Sequence, residues 1–150
     1  LIKNKINPCG LAVRDVLRTE MKYCLYGNEL SKEINPIQAG LKWIVDLSKN
    51  NFLGKDSIDN ELKNPTKRLI CFRMKDRAIP RKGYEIFLDK VKLGDVTSGT
   101  YSVGLKEGIG MGLINIEYMH ETNIYIEIRN KLFKAEVIKA PFIKNYSLHS

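Results

Sequence analysis

Apolar side chains recur every three or four positions along the stretch that follows Pro8, which is the period of one helical face. Gly10 precedes the stretch and Gly27 follows it, at the places where start and stop signals of a helix are expected. The pattern therefore predicts an amphipathic helix between the two glycines. Its apolar face consists of Val13, Val16, Leu17, Met21 and Cys24.

A second pattern, with the period of a half-buried strand, follows a polar connection. Its apolar positions are Leu41, Trp43, Val45 and Leu47. In this predicted strand, Trp43 is expected to lie in the core. Residues 56–63 then favour a short helix that ends before Pro65. Asp56 or Ser57 is expected to cap its first turn.

Beyond Pro65 the pattern changes to short segments rich in β-branched and aromatic residues, with turn signals between them. Predicted strands cover residues 69–74, 84–88, 91–97, 109–116, 124–129 and 132–139. A hairpin turn is expected at Asn130 and Lys131 between the last two. Six short strands at this spacing predict a small antiparallel β-barrel. The fold class is therefore α+β, with a domain boundary near Pro65.

Composition narrows the class of protein. Of the 150 residues, 43% are hydrophobic and 28% are charged, as expected for a soluble globular protein. No apolar run approaches the roughly 18 residues of a membrane span, and no signal peptide is evident. Cys9, Cys24 and Cys71 lie far apart, so reduced thiols in the cytoplasm are expected. With only His120 and His149 as companions, they do not suggest a metal site.

The chain carries a net charge of +8, and its densest basic stretch is residues 67–82. Such a stretch could attract nucleic acid, a polyanionic ligand or an acidic protein, or it could be an ordinary solvated surface. Nucleic acid is the least favoured partner, because few aromatic residues are available to stack on bases. The seven basic residues are Lys67, Arg68, Arg73, Lys75, Arg77, Arg81 and Lys82.

The polar side of the first helix carries two arginines. Arg14 and Arg18 are four residues apart, and such a pair costs about 0.2 to 0.5 kcal/mol unless an anion lies between the side chains. The helix is therefore expected to face an anion, although Asp15 could instead neutralise Arg18. Glu20 falls on the apolar side, where its carboxylate needs a hydrogen-bond donor from elsewhere in the protein.

Two other candidate sites are weak. The glycines of residues 108–112 do not have the Gly-x-Gly-x-x-Gly spacing of a phosphate loop, and they run into a predicted strand. They are better explained as positions at which a curved barrel strand bends. No arrangement suited to nucleophilic catalysis is visible, because His120 lies in a polar turn and His149 near the end of the chain.

Motifs of mixed composition occur in a fixed order along nearly the whole chain. The first are Ala12-Val13-Arg14-Asp15, Tyr26-Gly27-Asn28-Glu29, Ala39-Gly40-Leu41-Lys42-Trp43 and Asn51-Phe52-Leu53-Gly54-Lys55. The later ones are Arg77-Ala78-Ile79-Pro80-Arg81, Gly94-Asp95-Val96-Thr97-Ser98-Gly99-Thr100, Gly110-Met111-Gly112 and Ala140-Pro141-Phe142. In this order they resemble the T-protein of the glycine cleavage system, a family of tetrahydrofolate-dependent aminomethyltransferases.

The resemblance implies a domain organisation. Residues 1–64 would complete a folate-binding α+β domain whose other elements lie upstream, and residues 65–150 would form the terminal β-barrel of the family. The chain begins at Leu1, so it is expected to be the carboxyl-terminal portion of a longer protein. Its first segment should then expose apolar surface. The catalytic aspartate and the pterin-binding glutamate are expected upstream, so no residue here is assigned a catalytic role and this portion alone is expected to be inactive.

The resemblance also implies binding residues. Arg14 is expected to contact bound folate, whose glutamate tail carries carboxylates that a guanidinium group can hold through two hydrogen bonds. A second folate contact is expected just after the Pro-Phe pair, at Lys144 or Tyr146. Lys144 would offer a point charge instead of the planar fork of an arginine. The residues expected to support this site are Asp15, Arg18 and Glu20.

The function implied is attack by N5 of tetrahydrofolate on an aminomethyl group carried by the lipoyl arm of the H-protein, with release of ammonia. Residues 67–82 would help to attract this carrier. A cytoplasmic location is expected, or the mitochondrial matrix in a eukaryote. The alternatives are the folate domain of an enzyme that demethylates dimethylglycine or sarcosine, and a non-catalytic module that binds folate or RNA.

Overall fold

The computed structural model describes residue 3 and residues 7–144. Two short helices precede a set of six strands. The helical elements are α1 (Leu11–Glu20), α2 (Lys55–Lys63) and the 3₁₀ turns Lys42–Ile44 and Ile116–Tyr118. The strands are β1 (Lys67–Met74), β2 (Glu85–Leu88), β3 (Val91–Ser102), β4 (Glu107–Asn115), β5 (Asn123–Ile128) and β6 (Lys131–Ile138).

The six strands close into an antiparallel barrel in the order β1-β4-β3-β2-β5-β6. The predicted α+β class and the predicted small barrel are confirmed. Each predicted strand overlaps an observed one, and their ends differ by at most a few residues except in β3. Strand β3 continues past its predicted end because its second half pairs with β4, as far as Ser102 opposite Glu107.

The hairpin between β5 and β6 has a two-residue turn. Ile128 pairs with Lys131, so the turn consists of Arg129 and Asn130. Both have positive φ, 53° and 62°, as two-residue hairpin turns require when they follow the twist of the strands. The turn therefore lies one residue earlier than predicted.

The barrel has apolar layers on both sides of its wall. The interior contains Phe72, Ile86, Val96, Ile114 and Ile126, all of them buried. A second cluster lies on the outer face and includes Leu69, Cys71, Ile109, Met111 and Phe142. Strand β1 contributes to both clusters, which explains why it has an unbroken apolar run where a strand exposed on one side would alternate.

Glycines in β4 leave room for side chains from neighbouring strands. A Cβ atom on Gly110 would lie 2.5 Å from Cζ of Phe72, and one on Gly112 would lie 2.3 Å from Cδ1 of Ile86. Both Phe72 and Ile86 are completely buried in the barrel core. The need for space, and not only for bending, therefore accounts for these glycines. The segment is part of a regular strand, which agrees with its exclusion as a phosphate loop.

Helix α1 ends at Glu20, well before the predicted stop at Gly27. Lys22 has a φ of 60°, its backbone N–H donates to Thr19 O at 2.9 Å, and the N–H of Tyr23 donates to Arg18 O at 2.7 Å. These paired bonds end a helix with one residue in the left-handed conformation. Glycine usually occupies that position, so a lysine there gives no stop signal in the sequence. Cys24 consequently lies outside the helix.

The strand predicted from the alternation at Leu41 to Leu47 is wrong. The segment contains a 3₁₀ turn at Lys42–Ile44, and Trp43 is 82% exposed instead of lying in the core. Alternation describes a half-buried surface, but a strand also needs a neighbour to pair with, and none lies beside this segment in the part of the chain that the structure describes.

Helix α2 lies close to its predicted position. Its N-cap is Gly54, at a φ of 85°, so the predicted caps Asp56 and Ser57 lie inside the first turn. Its buried Glu61 accepts hydrogen bonds from Thr66 N at 2.8 Å and from Nε2 of Gln38 at 3.2 Å. These contacts hold the helix against the chain that enters β1.

Several large apolar side chains of the segment before the barrel are exposed, including Leu11, Leu17, Trp43 and Leu53. Exposed apolar surface was expected for this segment. Among the described residues, no helix has the length and apolar character needed to cross a membrane.

Candidate functional site

A cavity of about 720 Å³ opens between α1 and residues 23–25, and we call it the α1 cavity. Arg14 and Arg18 contribute to its lining, which is otherwise mainly apolar. The apolar lining comes from Leu11, Val13, Leu17, Met21, Tyr23 and Leu25. An apolar surface with a few polar groups suits a small ligand that has an aromatic or aliphatic body and an anionic end.

The early end of α1 creates this cavity. After Glu20 the chain reverses through the left-handed residue Lys22 and returns beside the helix as residues 23–25. Val13 and Leu17, predicted to lie on the apolar face of the helix, line the cavity and are about half exposed. This face of α1 therefore lines the cavity more than it contributes to the core.

Glu20 attaches the end of α1 to the barrel. Its carboxylate is buried and accepts a hydrogen bond from Oγ of Ser102 at 2.5 Å, while its backbone oxygen accepts one from Phe142 N at 2.9 Å. The expectation that Glu20 finds a donor elsewhere is confirmed. Its side-chain partner among the described residues is Ser102, so it does not contact either arginine directly, and its role as a support for them stays a prediction.

Arg18 is engaged by two carboxylates of the protein. Its Nε and Nη2 donate to Oδ1 of Asp15 at 2.8 and 2.6 Å, and its Nη1 donates to Oε2 of Glu29 at 3.0 Å. Nη2 also donates to Oγ of Ser98 in β3, at 2.9 Å. The alternative in which Asp15 neutralises Arg18 is therefore the one that the structure shows. Arg18 faces anions, but they belong to the protein.

Glu29 was not predicted as a site residue, and its carboxylate is 0% exposed. It accepts hydrogen bonds from Arg18, from Leu25 N at 3.0 Å and from Oγ of Ser98 at 2.5 Å. Ser98 in turn accepts a hydrogen bond from Nδ2 of Asn28 at 3.0 Å. Glu29 occurs in a quoted motif, but nothing in the sequence pattern indicates that it meets an arginine 11 residues earlier.

Arg14 has a different environment from Arg18. Its side chain is exposed at the edge of the α1 cavity, and it forms no hydrogen bond or ion pair with any other residue that the structure describes. Asp15 is its neighbour in sequence but binds Arg18. Arg14 is thus the cation of this cavity that an external carboxylate can reach, and its contact with folate stays a prediction.

The second folate contact was predicted at Lys144 or Tyr146, and the structure describes only the first of these two residues. Lys144 is exposed and lies two residues beyond Phe142, which is hydrogen bonded to the end of α1. Tyr146 lies outside the described residues. The roles of Lys144 and Tyr146 in ligand binding stay predictions.

The basic stretch of residues 67–82 does not form a single patch. Arg68 donates to Ile37 O at 3.0 Å, and Lys82 donates to Oδ1 of Asn28 at 3.0 Å. Strand β1 also separates Lys67 at its start from the residues after its end, by roughly 23 Å at the usual rise per residue. The charge of this stretch is therefore distributed over several surfaces.

Two more of its basic residues share a single carboxylate. Arg73 and Lys75 bind Oε2 of Glu136 at 2.9 and 2.6 Å. Hydrogen bonds from Lys75 and then Arg73 lower the pKa of Glu136. Arg77 and Arg81 remain exposed, without an ion pair to another described residue.

The thiols differ in exposure. Cys9 is exposed, Cys24 is half-buried and Cys71 is buried, and all three are free. Burial raises the pKa of Cys71 to about 12, and burial followed by the nearby charge of Glu29 raises the pKa of Cys24. Within the described part of the chain, no three His, Cys, Asp or Glu side chains are grouped as metal ligands would be.

The free energy of unfolding is expected to fall above pH 9. The unfolded protein ionises Cys71 near its ordinary pKa, whereas the folded protein keeps the proton up to about pH 12, so rising pH favours unfolding. Between pH 7.5 and 10.5 this difference amounts to about 2 kcal/mol. Urea unfolding at both pH values, with Cys71→Ala as the control that lacks this loss, measures it. Equal pH dependence of the two proteins would contradict the assignment.

Comparisons with known proteins agree with the motifs. Residues 67–144 match the family described as the glycine cleavage T-protein C-terminal barrel domain. Residues 3–49 match the family described as the GCVT N-terminal domain. The first match covers the whole barrel, and the second covers α1 and both walls of the α1 cavity.

Two similar proteins are both aminomethyltransferases. The chain is 45% identical over 140 residues to an aminomethyltransferase of Prosthecochloris aestuarii, covering 92% of this chain and 39% of that protein. It is 43% identical over 145 residues to an aminomethyltransferase of Thermosipho melanesiensis, covering 96% and 40%. The chain thus spans about two-fifths of the length of these relatives.

A solved structure is also similar. The crystal structure of glycine cleavage system aminomethyltransferase T from Bartonella henselae superimposes with a TM-score of 0.84 at 28% sequence identity. The match covers 93% of this chain and 40% of that one.

Proposed function

The chain belongs to the glycine cleavage T-protein family, and we propose on this basis that it contributes a folate-binding wall to an aminomethyltransferase. The proposed reaction transfers the aminomethyl carbon from a lipoyl arm to tetrahydrofolate and releases ammonia. The names of the relatives and the chemistry of the α1 cavity support this proposal. We also propose that residues 1–64 belong to the folate-binding domain and residues 65–150 to the terminal barrel.

The observation that carries the proposal is the environment of Arg14. This residue is a cation without a partner among the described residues, at the edge of a largely apolar cavity. Folate has an aminobenzoyl ring followed by a glutamate tail, so it carries the two properties that such a surface can bind. The ring would lie against apolar walls that include Leu17 and Tyr23, while the tail carboxylate would pair with the guanidinium group.

The contribution of these residues to catalysis would be the orientation of a large substrate. Fixing the tail and the ring of folate limits the positions that N5 can take relative to the aminomethyl carbon, and such orientation lowers the activation barrier. Proton transfer is expected to involve a carboxylate, and none of the described residues is assigned to that role.

The proposed partner is the lipoyl-carrying H-protein. Steering of an acidic carrier would depend on Arg77 more than on Lys82, because Lys82 is already engaged by Asn28.

Replacing Arg14 by alanine is expected to weaken tetrahydrofolate binding by about 1.5 to 3 kcal/mol, because a charge-assisted hydrogen bond to the tail is lost. This corresponds to a roughly ten- to hundredfold rise in Kd, measured by calorimetric titration. Arg14→Lys keeps the charge but loses the fork geometry, so its Kd should lie between those of the unaltered protein and of Arg14→Ala.

Arg77→Ala provides the matched control, because Arg77 is another exposed arginine without an ion pair to a described residue and lies away from the α1 cavity. Its Kd should equal that of the unaltered protein. The proposal is contradicted if Arg14→Ala also leaves the Kd unchanged.

A further inference from the structure

Glu29 connects three elements of the fold. Its fully buried carboxylate accepts hydrogen bonds from Arg18 of α1 at 3.0 Å, from Leu25 N at 3.0 Å and from Ser98 of β3 at 2.5 Å. A carboxylate removed from water is costly unless charged or polar donors surround it, and these three donors meet that need.

Two of these donors belong to opposite walls of the α1 cavity. Arg18 lies on the α1 wall, and Leu25 lies on the wall formed by residues 23–25. A weaker contact joins the same walls, from Nη1 of Arg18 to Tyr23 O at 3.4 Å. Glu29 thus fixes the distance between the two walls, because it binds a residue of each. Its contact with Ser98 attaches both walls to the barrel.

The same arrangement determines which arginine is available. Arg18 has a side chain only 12% exposed and is held by Asp15, Glu29 and Ser98. Arg14, one helical turn earlier, has no such partners among the described residues, and its position depends on that of the helix. A shift of α1 relative to residues 23–25 would therefore move Arg14 relative to the opposite wall.

We propose that Glu29 is a positioning residue of the α1 cavity, which holds α1 and Arg14 at the correct distance from residues 23–25 to bind an aromatic amide with a carboxylate tail. This inference rests on the proposed function, since it takes Arg14 as the group that binds the folate tail. Glu29 does not touch the ligand and acts through Arg18 and Leu25.

The experiment uses two small probes. One is p-aminobenzoyl-L-glutamate, which has the aromatic ring and the tail of folate, and the other is p-aminobenzamide, which lacks the glutamate. Their Kd values are measured by NMR titration of the unaltered protein and of Glu29→Gln, at a temperature where circular dichroism shows both to be folded. The quantity of interest is the ratio of the two Kd values, which measures how much the glutamate tail contributes to binding.

The unaltered protein is expected to prefer the glutamate-bearing probe about tenfold, and Glu29→Gln should lose most of this preference because Arg14 is displaced. Ser98→Ala keeps both charges but removes the contact with the barrel, so it should reduce the preference less. It also provides the test if Glu29→Gln does not fold.

Glu61→Gln is the matched control, because Glu61 is a buried carboxylate in α2 that contacts Gln38 and Thr66 and does not line the α1 cavity. It should lower stability without changing the ratio. A preserved ratio in both Glu29→Gln and Ser98→Ala would overturn this inference alone. Equal affinities of the unaltered protein for the two probes would overturn the proposed function, and the inference with it.

Discussion

Replacing Arg18 by alanine is expected to lower the free energy of unfolding by about 3 to 5 kcal/mol, because the variant leaves a buried carboxylate without its cation. Glu29 has no exposed surface, and Arg18 supplies the charged donor among its three partners. Asp15 and Ser98 also lose a donor. Equilibrium unfolding in urea at pH 7 measures the effect.

Arg14→Ala is the control for this measurement, since it alters the same residue type one turn earlier in the same helix. Arg14 is exposed and has no partner among the described residues, so the free energy should change by less than about 0.5 kcal/mol. The two substitutions are thus expected to affect different properties: Arg18→Ala lowers stability, whereas Arg14→Ala weakens ligand binding. If Arg18→Ala lowered the free energy of unfolding as little as Arg14→Ala does, the result would contradict a stabilising role for the ion pairs of Arg18.

The second large effect is expected in the barrel, where Phe72 occupies the space above Gly110 on the paired strand. Phe72→Ala should cost about 3 to 5 kcal/mol through lost burial and the cavity that remains. Gly110→Ala should cost about 1 to 3 kcal/mol, because its Cβ would lie 2.5 Å from Cζ of the ring.

The two changes together should cost less than their sum, because the alanine methyl group enters space that the ring has left. Urea unfolding of the two single variants and the double variant gives this coupling. Strictly additive losses would show that Phe72 and Gly110 do not share a packing constraint.

The strands of the barrel could be predicted because each is specified by a local sequence pattern. Short segments of β-branched and aromatic residues, separated by turn residues, identify strands even without knowledge of their order. The end of α1 could not be predicted, because Lys22 adopts the conformation usually taken by glycine. The strand predicted around Trp43 failed for another reason, since pairing depends on a neighbouring strand that local alternation does not reveal.

The candidate site could be predicted only in part. The spacing of Arg14 and Arg18 and the resemblance to a folate-dependent family singled out the helix that lines the α1 cavity. The engagement of Arg18, in contrast to Arg14, which has no partner among the described residues, depends on Glu29 and on Ser98, which lies 80 residues after Arg18. Contacts over such separations follow from the packing of α1 on the barrel, and no local pattern encodes them.

The most direct test of the folate-binding proposal is a crystal structure of the purified protein with tetrahydrofolate bound. The predicted result places a carboxylate oxygen of the glutamate tail within about 3.2 Å of a guanidinium nitrogen of Arg14. Arg18 should keep its contacts with Asp15 and Glu29. A tail bound away from the α1 cavity, or one held by Arg18 in place of Glu29, would contradict it.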